Sequence, residues 1–127
     1  MTRGFRNVSS LACLAAALVL SAGCGSALAR GKRSESHRDY EQAIYWYAAA
    51  TAEGNMQQHE LQTKMMKFHQ DLGEGFCFHL NRALKRIYDD TAALMKEGKT
   101  SAANKEAEKS HVLGKVRTSY CSEDKEE

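Results

Sequence analysis

Two histidines and two methionines in one segment are the residues of this chain best suited to bind a metal ion. His59 and His69 stand ten positions apart, with Met65 and Met66 between them. Imidazole and thioether groups are ligands of copper and of haem iron. On a helix, however, the two imidazoles would point roughly 80° apart. The chain also contains neither H-E-x-x-H nor C-x-x-C-H. The sequence therefore predicts no cofactor, and a copper- or haem-binding helical bundle remains the alternative from another functional class.

Catalytic motifs are lacking in the same way. No Gly-x-Ser-x-Gly occurs, and Gly73 and Gly75 are not followed by the Lys-Ser/Thr pair of a phosphate-binding loop. Asp89 and Asp90 are adjacent, so their carboxylates would diverge by about 100° on a helix. Each stands four positions after a basic residue and suits a surface ion pair better than acid–base chemistry. We expect that the protein is not an enzyme.

The N-terminal residues have the three parts of a secretory signal peptide. Arg3 and Arg6 form a basic start, Leu11 to Leu20 is apolar, and small residues follow at 21–23. Removing this leader leaves 16 of the 18 basic residues against 16 acidic ones. A neutral mature chain is a poor candidate for binding nucleic acid, because such binding depends on neutralising phosphates.

Residues 20–24 read LSAGC and resemble the lipobox of bacterial lipoproteins. In that family a dedicated peptidase cuts before the cysteine, whose thiol has received a diacylglyceryl group. The resemblance implies a signal peptide at 1–23 and acyl chains such as palmitate on Cys24. Ser21 stands where the family more often has leucine. Gly25, in place of aspartate, favours the outer membrane, so we expect a lipid anchor on its periplasmic face.

Two other outcomes of export stay open. Ala27, Leu28 and Ala29 form an A-x-A site, and a cut before Arg30 would release a soluble periplasmic or secreted protein. The uncharged residues 7–29 are also about long enough to remain as an uncleaved membrane anchor.

Downstream of the leader the composition divides the chain into three parts. Residues 24–36 are small, polar and basic, and we expect a flexible tether. Residues 37–121 have the apolar spacing of helices interrupted by glycine-containing turns, and residues 122–127 are an acidic tail. The expected helices are 37–53, 56–72, 76–97 and 100–121.

Cys77 and Cys121 remain as a pair in an oxidising compartment, which predicts a disulfide. Each stands 22 residues from Lys99, the centre of the turn between the last two expected helices. A bridge would therefore close the open end of an antiparallel hairpin. We predict an all-α fold, a small antiparallel bundle of about four helices in two hairpins with one disulfide.

Residues 39–55, DYEQAIYWYAAATAEGN, resemble the second helix of a Sel1-like repeat, a relative of the tetratricopeptide repeat. The shared residues are Asp39, Tyr40, Glu41, Ala43, Trp46, Tyr47, Ala50, Gly54 and Asn55. In that family such helices pack together as scaffolds that bind other proteins. Convergence on an amphipathic helix that ends at Gly-Asn is the alternative explanation.

Aromatic residues crowd the same segment. A bundle helix that buries one face cannot bury Tyr45, Trp46 and Tyr47 together, so at least one should be exposed. We therefore predict an interaction patch of Tyr40, Tyr45, Trp46 and Tyr47 that contacts a protein partner in the cell envelope. The expected function is that of a non-catalytic assembly or accessory factor, similar in architecture to pilotins. An immunity lipoprotein that neutralises a periplasmic toxin is the alternative.

Overall fold

The computed structural model describes residues 25–121, and in that range the chain forms five α-helices and no strand. They are α1 (Ala27–Ser36), α2 (Tyr40–Ala52), α3 (Gln58–Leu72), α4 (Gly75–Lys96) and α5 (Thr100–Tyr120). The all-α prediction is confirmed. The predicted signal peptide, the lipidation at Cys24 and the acidic tail lie outside the described residues.

The last four helices match the four predicted segments to within three residues at each end. Their ends carry local signals. Asp39 accepts a hydrogen bond from the backbone N–H of Gln42 at the start of α2, and the Glu60 carboxylate accepts one from the backbone N–H of Gln57 at the start of α3. Such side-chain caps satisfy amide groups that a helix leaves unpaired. Gly98 has a φ of 78°, which favours glycine in the turn after α4.

The prediction of a flexible tether was wrong for residues 27–36, which form α1. Ser26 caps this helix by accepting a hydrogen bond from the backbone N–H of Ala29, at 3.0 Å. Ala27 and Gly31 are both buried on the side of α1 that packs on α2. Leu28 is the only large apolar residue of the segment, which is why its composition suggested a linker. Small residues instead let the two helices approach closely.

Helix α2 is the centre of the domain. It packs against all four other helices, and seven of its thirteen residues are buried. They are Ala43, Ile44, Tyr45, Tyr47, Ala48, Ala49 and Ala50. The three consecutive alanines let neighbouring helices pack on more than one side of α2, so its burial is not limited to a single stripe. The large core residues around it come from α3, α4 and α5 and include Phe68, Phe76 and Leu113.

The predicted disulfide is present. Cys77 in the first turn of α4 is bonded to Cys121 directly after α5, with Cα atoms 5.8 Å apart. Because three residues connect α4 to α5, the bridge closes an antiparallel hairpin at its open end. In the chain-entropy model, a loop of this length contributes roughly 4 kcal/mol to the free energy of unfolding.

The contact between α1 and α2 predicts the effect of a single methyl group. A Cβ atom at Gly31 would lie 2.8 Å from two ring carbons of Tyr47, which is buried and cannot move aside easily. We expect Gly31→Ala to lower the free energy of unfolding by about 1–3 kcal/mol through overpacking. Gly114→Ala is the matched control, since a Cβ there meets nothing within 4 Å and alanine favours a helix. Urea unfolding of both variants measures the difference, and equal stabilities would contradict the proposed close packing.

Candidate binding surfaces

The predicted aromatic patch does not form as an exposed surface. Tyr45 and Tyr47 are only 4% and 1% exposed, so the prediction was wrong for these two residues. Tyr40 and Trp46 are partly buried against the core. The reason is the central position of α2, which is enclosed from several sides. The expectation that a helix buries only one face holds for a helix at the edge of a bundle. It does not hold for α2, which lies at the centre.

The Tyr47 hydroxyl belongs to a network that joins α1, α2 and α3. It donates a hydrogen bond to Oε1 of Glu35 at 2.6 Å, and Nζ of Lys64 lies 3.1 Å from the same oxygen. Burial alone would raise the pKa of Glu35, but the hydrogen bonds from Tyr47 and Lys64 and the nearby positive charges hold it below its ordinary value. Burial, and then the bond to Glu35, raises the pKa of Tyr47. Glu35 is therefore a paired anion between the helices.

Tyr45 forms a second network, between α2 and α5. Its hydroxyl donates to Oε2 of Glu106 at 2.9 Å and accepts from Nζ of Lys109 at 2.8 Å. Lys109 also donates to Oε1 of Glu106. Burial tends to lower the pKa of Lys109, but the bonds to Glu106 and Tyr45 outweigh it and the pKa is raised. Each of the three side chains is hydrogen-bonded to the other two. The network therefore joins α2 to α5, and none of its groups is left unbonded to act as a catalytic base.

Trp46 lies under two guanidinium groups. The Cζ atom of Arg30 in α1 is 4.8 Å from a Trp46 ring centroid, and that of Arg86 in α4 is 5.7 Å away. Arg86 also stacks on Tyr45 at 3.6 Å. Cation–π contacts of this kind contribute about 0.5–2 kcal/mol each. They cover part of the indole, so Trp46 joins α1 and α4 to α2 and is not a fully exposed anchor for a partner.

The histidines do not gather into a site. His59 and His69 lie near opposite ends of α3, and His69 packs between the rings of Phe76 and Tyr120. Of the methionines between them, Met65 is buried and Met66 is exposed. Within residues 25–121 no group of three or more His, Cys, Asp and Glu side chains could hold a metal ion.

The largest exposed apolar side chains lie elsewhere, on α4. Tyr88 is 59% exposed and Met95 is 53% exposed. They are seven residues apart and therefore lie on the same side of the helix. We call this pair the apolar strip. Phe78 is also exposed, but the guanidinium of Arg82 partly covers its ring. The sequence held a signal for the strip, since Tyr88 and Met95 are apolar residues outside the three-four spacing of the α4 core positions.

A second surface is basic. Arg30, Lys32 and Arg33 are exposed on α1, and Lys67 is exposed on α3. Lys32 and Lys67 line the same groove, about 490 Å³ in volume, with Leu28 and Met56 among its apolar residues. We call Arg30, Lys32, Arg33 and Lys67 the basic face. From the sequence we predicted that Arg30, Lys32 and Arg33 lie in a flexible tether, which would give these charges no fixed positions.

Comparison with protein-family models, curated proteins and solved structures finds no match to this chain. Among the described helices, none is long and apolar enough to cross a membrane. The surfaces and the N-terminal helix are therefore the features of this domain that bear on its function.

The Glu35 network predicts an acid-dependent contribution to stability. Because the folded-state pKa of Glu35 lies below its ordinary value of 4.5, folding favours the ionised carboxylate. Its contribution is complete above pH 4.5 and is lost as the pH falls through the lower folded-state pKa. At neutral pH we expect Glu35→Gln to lower the free energy of unfolding by about 1 kcal/mol.

Below pH 4 this difference from the wild type should shrink. Glu108→Gln, at an exposed position of α5, is the control and should change stability little at any pH. Urea unfolding between pH 3 and 7 tests the prediction, and a gap that stays constant with pH would contradict it.

Proposed function

We propose that this chain is an outer-membrane lipoprotein, anchored through Cys24, whose helical domain binds another protein of the cell envelope. Its role would be that of a non-catalytic accessory factor, as in pilotin-type assembly lipoproteins. The position of α1 is the observation that supports the proposed lipid anchor. The observation that supports a protein partner is the apolar strip.

Helix α1 would be kept whole by one of the two cleavage sites and shortened by the other. A cut before Cys24 keeps the Ser26 cap, the buried Ala27 and the partly buried Leu28. A cut before Arg30 removes all three, and with them the first three residues of α1. Loss of the cap alone costs about 1 kcal/mol. A mature chain that starts at Cys24 therefore preserves the fold, and this favours the lipobox over the A-x-A site.

The apolar strip is the surface best suited to a protein partner. Aromatic residues and methionine are enriched at protein interfaces, where they fill pockets on the partner. By contrast, the buried tyrosines have their hydroxyls bonded inside the domain. The apolar strip thus replaces the aromatic residues of α2 as the proposed binding surface.

Intact-mass analysis of the protein extracted from a bacterial envelope tests the anchor. We expect a chain that starts at Cys24 and carries the mass of a diacylglyceryl group with or without a third acyl chain. Cys24→Ala should abolish fatty-acid labelling. A chain that starts at Arg30, or unchanged labelling of the variant, would refute the proposed lipoprotein.

Binding through the apolar strip is tested by paired substitutions and crosslinking in cells. A Tyr88→Ser, Met95→Ser variant should reduce recovery of one stoichiometric envelope partner at least tenfold, because interface anchors of this kind typically contribute about 1–2 kcal/mol each. Met66→Ser is the control, since Met66 is an exposed apolar residue on α3. Equal losses in both variants, or no loss in either, would contradict a role of this strip. The identity of the partner would separate an assembly factor from an immunity protein.

A further inference from the structure

We propose that the basic face binds the headgroups of anionic phospholipids in the leaflet that holds the lipid anchor. This inference depends on the proposed lipidation of Cys24. It assigns a function to α1, which would orient the domain on the membrane.

Among the described residues, the positive charges of α1 are not neutralised by carboxylates, although the guanidinium of Arg30 lies over the Trp46 ring. No carboxylate in residues 25–121 forms an ion pair with Arg30, Lys32 or Arg33. Glu35 is the only acidic residue of α1, and it is bonded to Tyr47 and Lys64 on the side toward the core. The outward side of α1 therefore carries uncompensated positive charge.

Basic residues of the other helices are paired more often. Three ion pairs have nitrogen-to-oxygen distances of 2.9 Å or less: Lys85 with Asp89, Lys109 with Glu106, and Arg82 with Glu41. These pairs reduce the local field. Within the described part of the chain, exposed lysines without an ion pair also occur on α4 and α5, at Lys96, Lys105 and Lys115, and Lys67 acts on the Glu35 carboxylate. The basic face differs from them in its position, because α1 directly follows Cys24 in the chain.

Covalent geometry places this charge next to the membrane. Cys24 is bonded to Gly25, and α1 begins two residues later at Ala27. Three residues span at most about 10 Å, and a helix rises about 1.5 Å per residue. Arg33 thus lies within roughly 20 Å of an acylated Cys24 along the chain, and Arg30 lies closer. Screening limits the attraction to about 8 Å at physiological salt, so the proposal requires α1 to lie along the membrane surface and not to point away from it.

The groove between α1 and α3 extends the contact. Lys32 and Lys67 stand beside the apolar Leu28 and Met56. The lysines would bind lipid phosphate groups, and the apolar side chains would contact the glycerol backbones. Glu60, the acidic residue in this groove, has its carboxylate bonded to the backbone N–H of Gln57. Each basic residue near an anionic surface contributes roughly a fivefold gain in association.

Lysine acetylation read by mass spectrometry tests this contact on the full lipidated protein in vesicles. On vesicles containing phosphatidylglycerol, we expect Lys32 and Lys67 to react about fivefold more slowly than on vesicles of phosphatidylcholine alone. Lys105 and Lys115, exposed on α5, should change less than twofold. Equal rates on the two vesicle types, or equal protection of all four lysines, would overturn the proposal. Protection by millimolar inorganic phosphate without vesicles would also overturn it, in favour of a soluble anion.

A charge-reversed variant provides the matched comparison. Arg33→Glu should remove most of the protection of Lys32 and Lys67, whereas Lys115→Glu, the same change on α5, should leave it intact. Thermal unfolding verifies that both variants fold. The intact mass separates the two hypotheses. A protein without acyl chains refutes the anchor, and an acylated protein with unprotected lysines refutes only the headgroup contact.

Discussion

Tyr47 makes two of the contacts that position α1. Its ring lies so close to Gly31 that no Cβ fits between them, and its hydroxyl bonds Glu35 one turn further along the same helix. The apolar contact fixes how closely α1 approaches α2, and the hydrogen bond fixes its rotation. Lys64 then joins Glu35 to α3. A helix of ten residues would be only marginally stable alone, and this contact makes it part of the domain.

The need to pair buried polar groups with hydrogen-bond partners also determines the contacts of the rest of α2. A helix that contacts four others has to bury its tyrosines, and a buried hydroxyl without a partner costs about 1–3 kcal/mol. Tyr47 is satisfied by Glu35 and Tyr45 by Glu106 and Lys109. Both networks run between helices, so the groups that satisfy the hydroxyls also fix how α1 and α5 dock on the centre. This use of charged residues explains why the tyrosines do not form the surface that their number suggested.

The sequence was sufficient for the parts of the fold that follow simple periodicity. Glycine turns and apolar spacing predicted the last four helices, and the placement of Cys77 and Cys121 about Lys99 predicted the hairpin and its bridge. Helix α1 was missed because its core contacts come from Ala27 and Gly31, residues that also occur in linkers. The aromatic patch was wrong because Ala48, Ala49 and Ala50 leave room for neighbours beside the expected stripe of α2. Close packing through small side chains depends on the partner surface, and a single sequence does not display it.

The geometry of α4 shows how a membrane contact and a protein contact could operate together. Arg86 reaches toward α2, where its guanidinium stacks on Tyr45 and donates a hydrogen bond to the side chain of Gln42. Tyr88 follows two residues later, so the helix turns it roughly 200° away from Arg86. The apolar strip therefore lies on the side of α4 that faces away from Arg86 and its contacts on α2. Helix α1 packs on α2, so a contact of the basic face with headgroups would not need to cover the apolar strip. A partner bound there would be held at a fixed orientation to the membrane, because α1 is locked to α2 by Tyr47. A flexible tether at 27–36 would have held the domain near the membrane without setting that orientation.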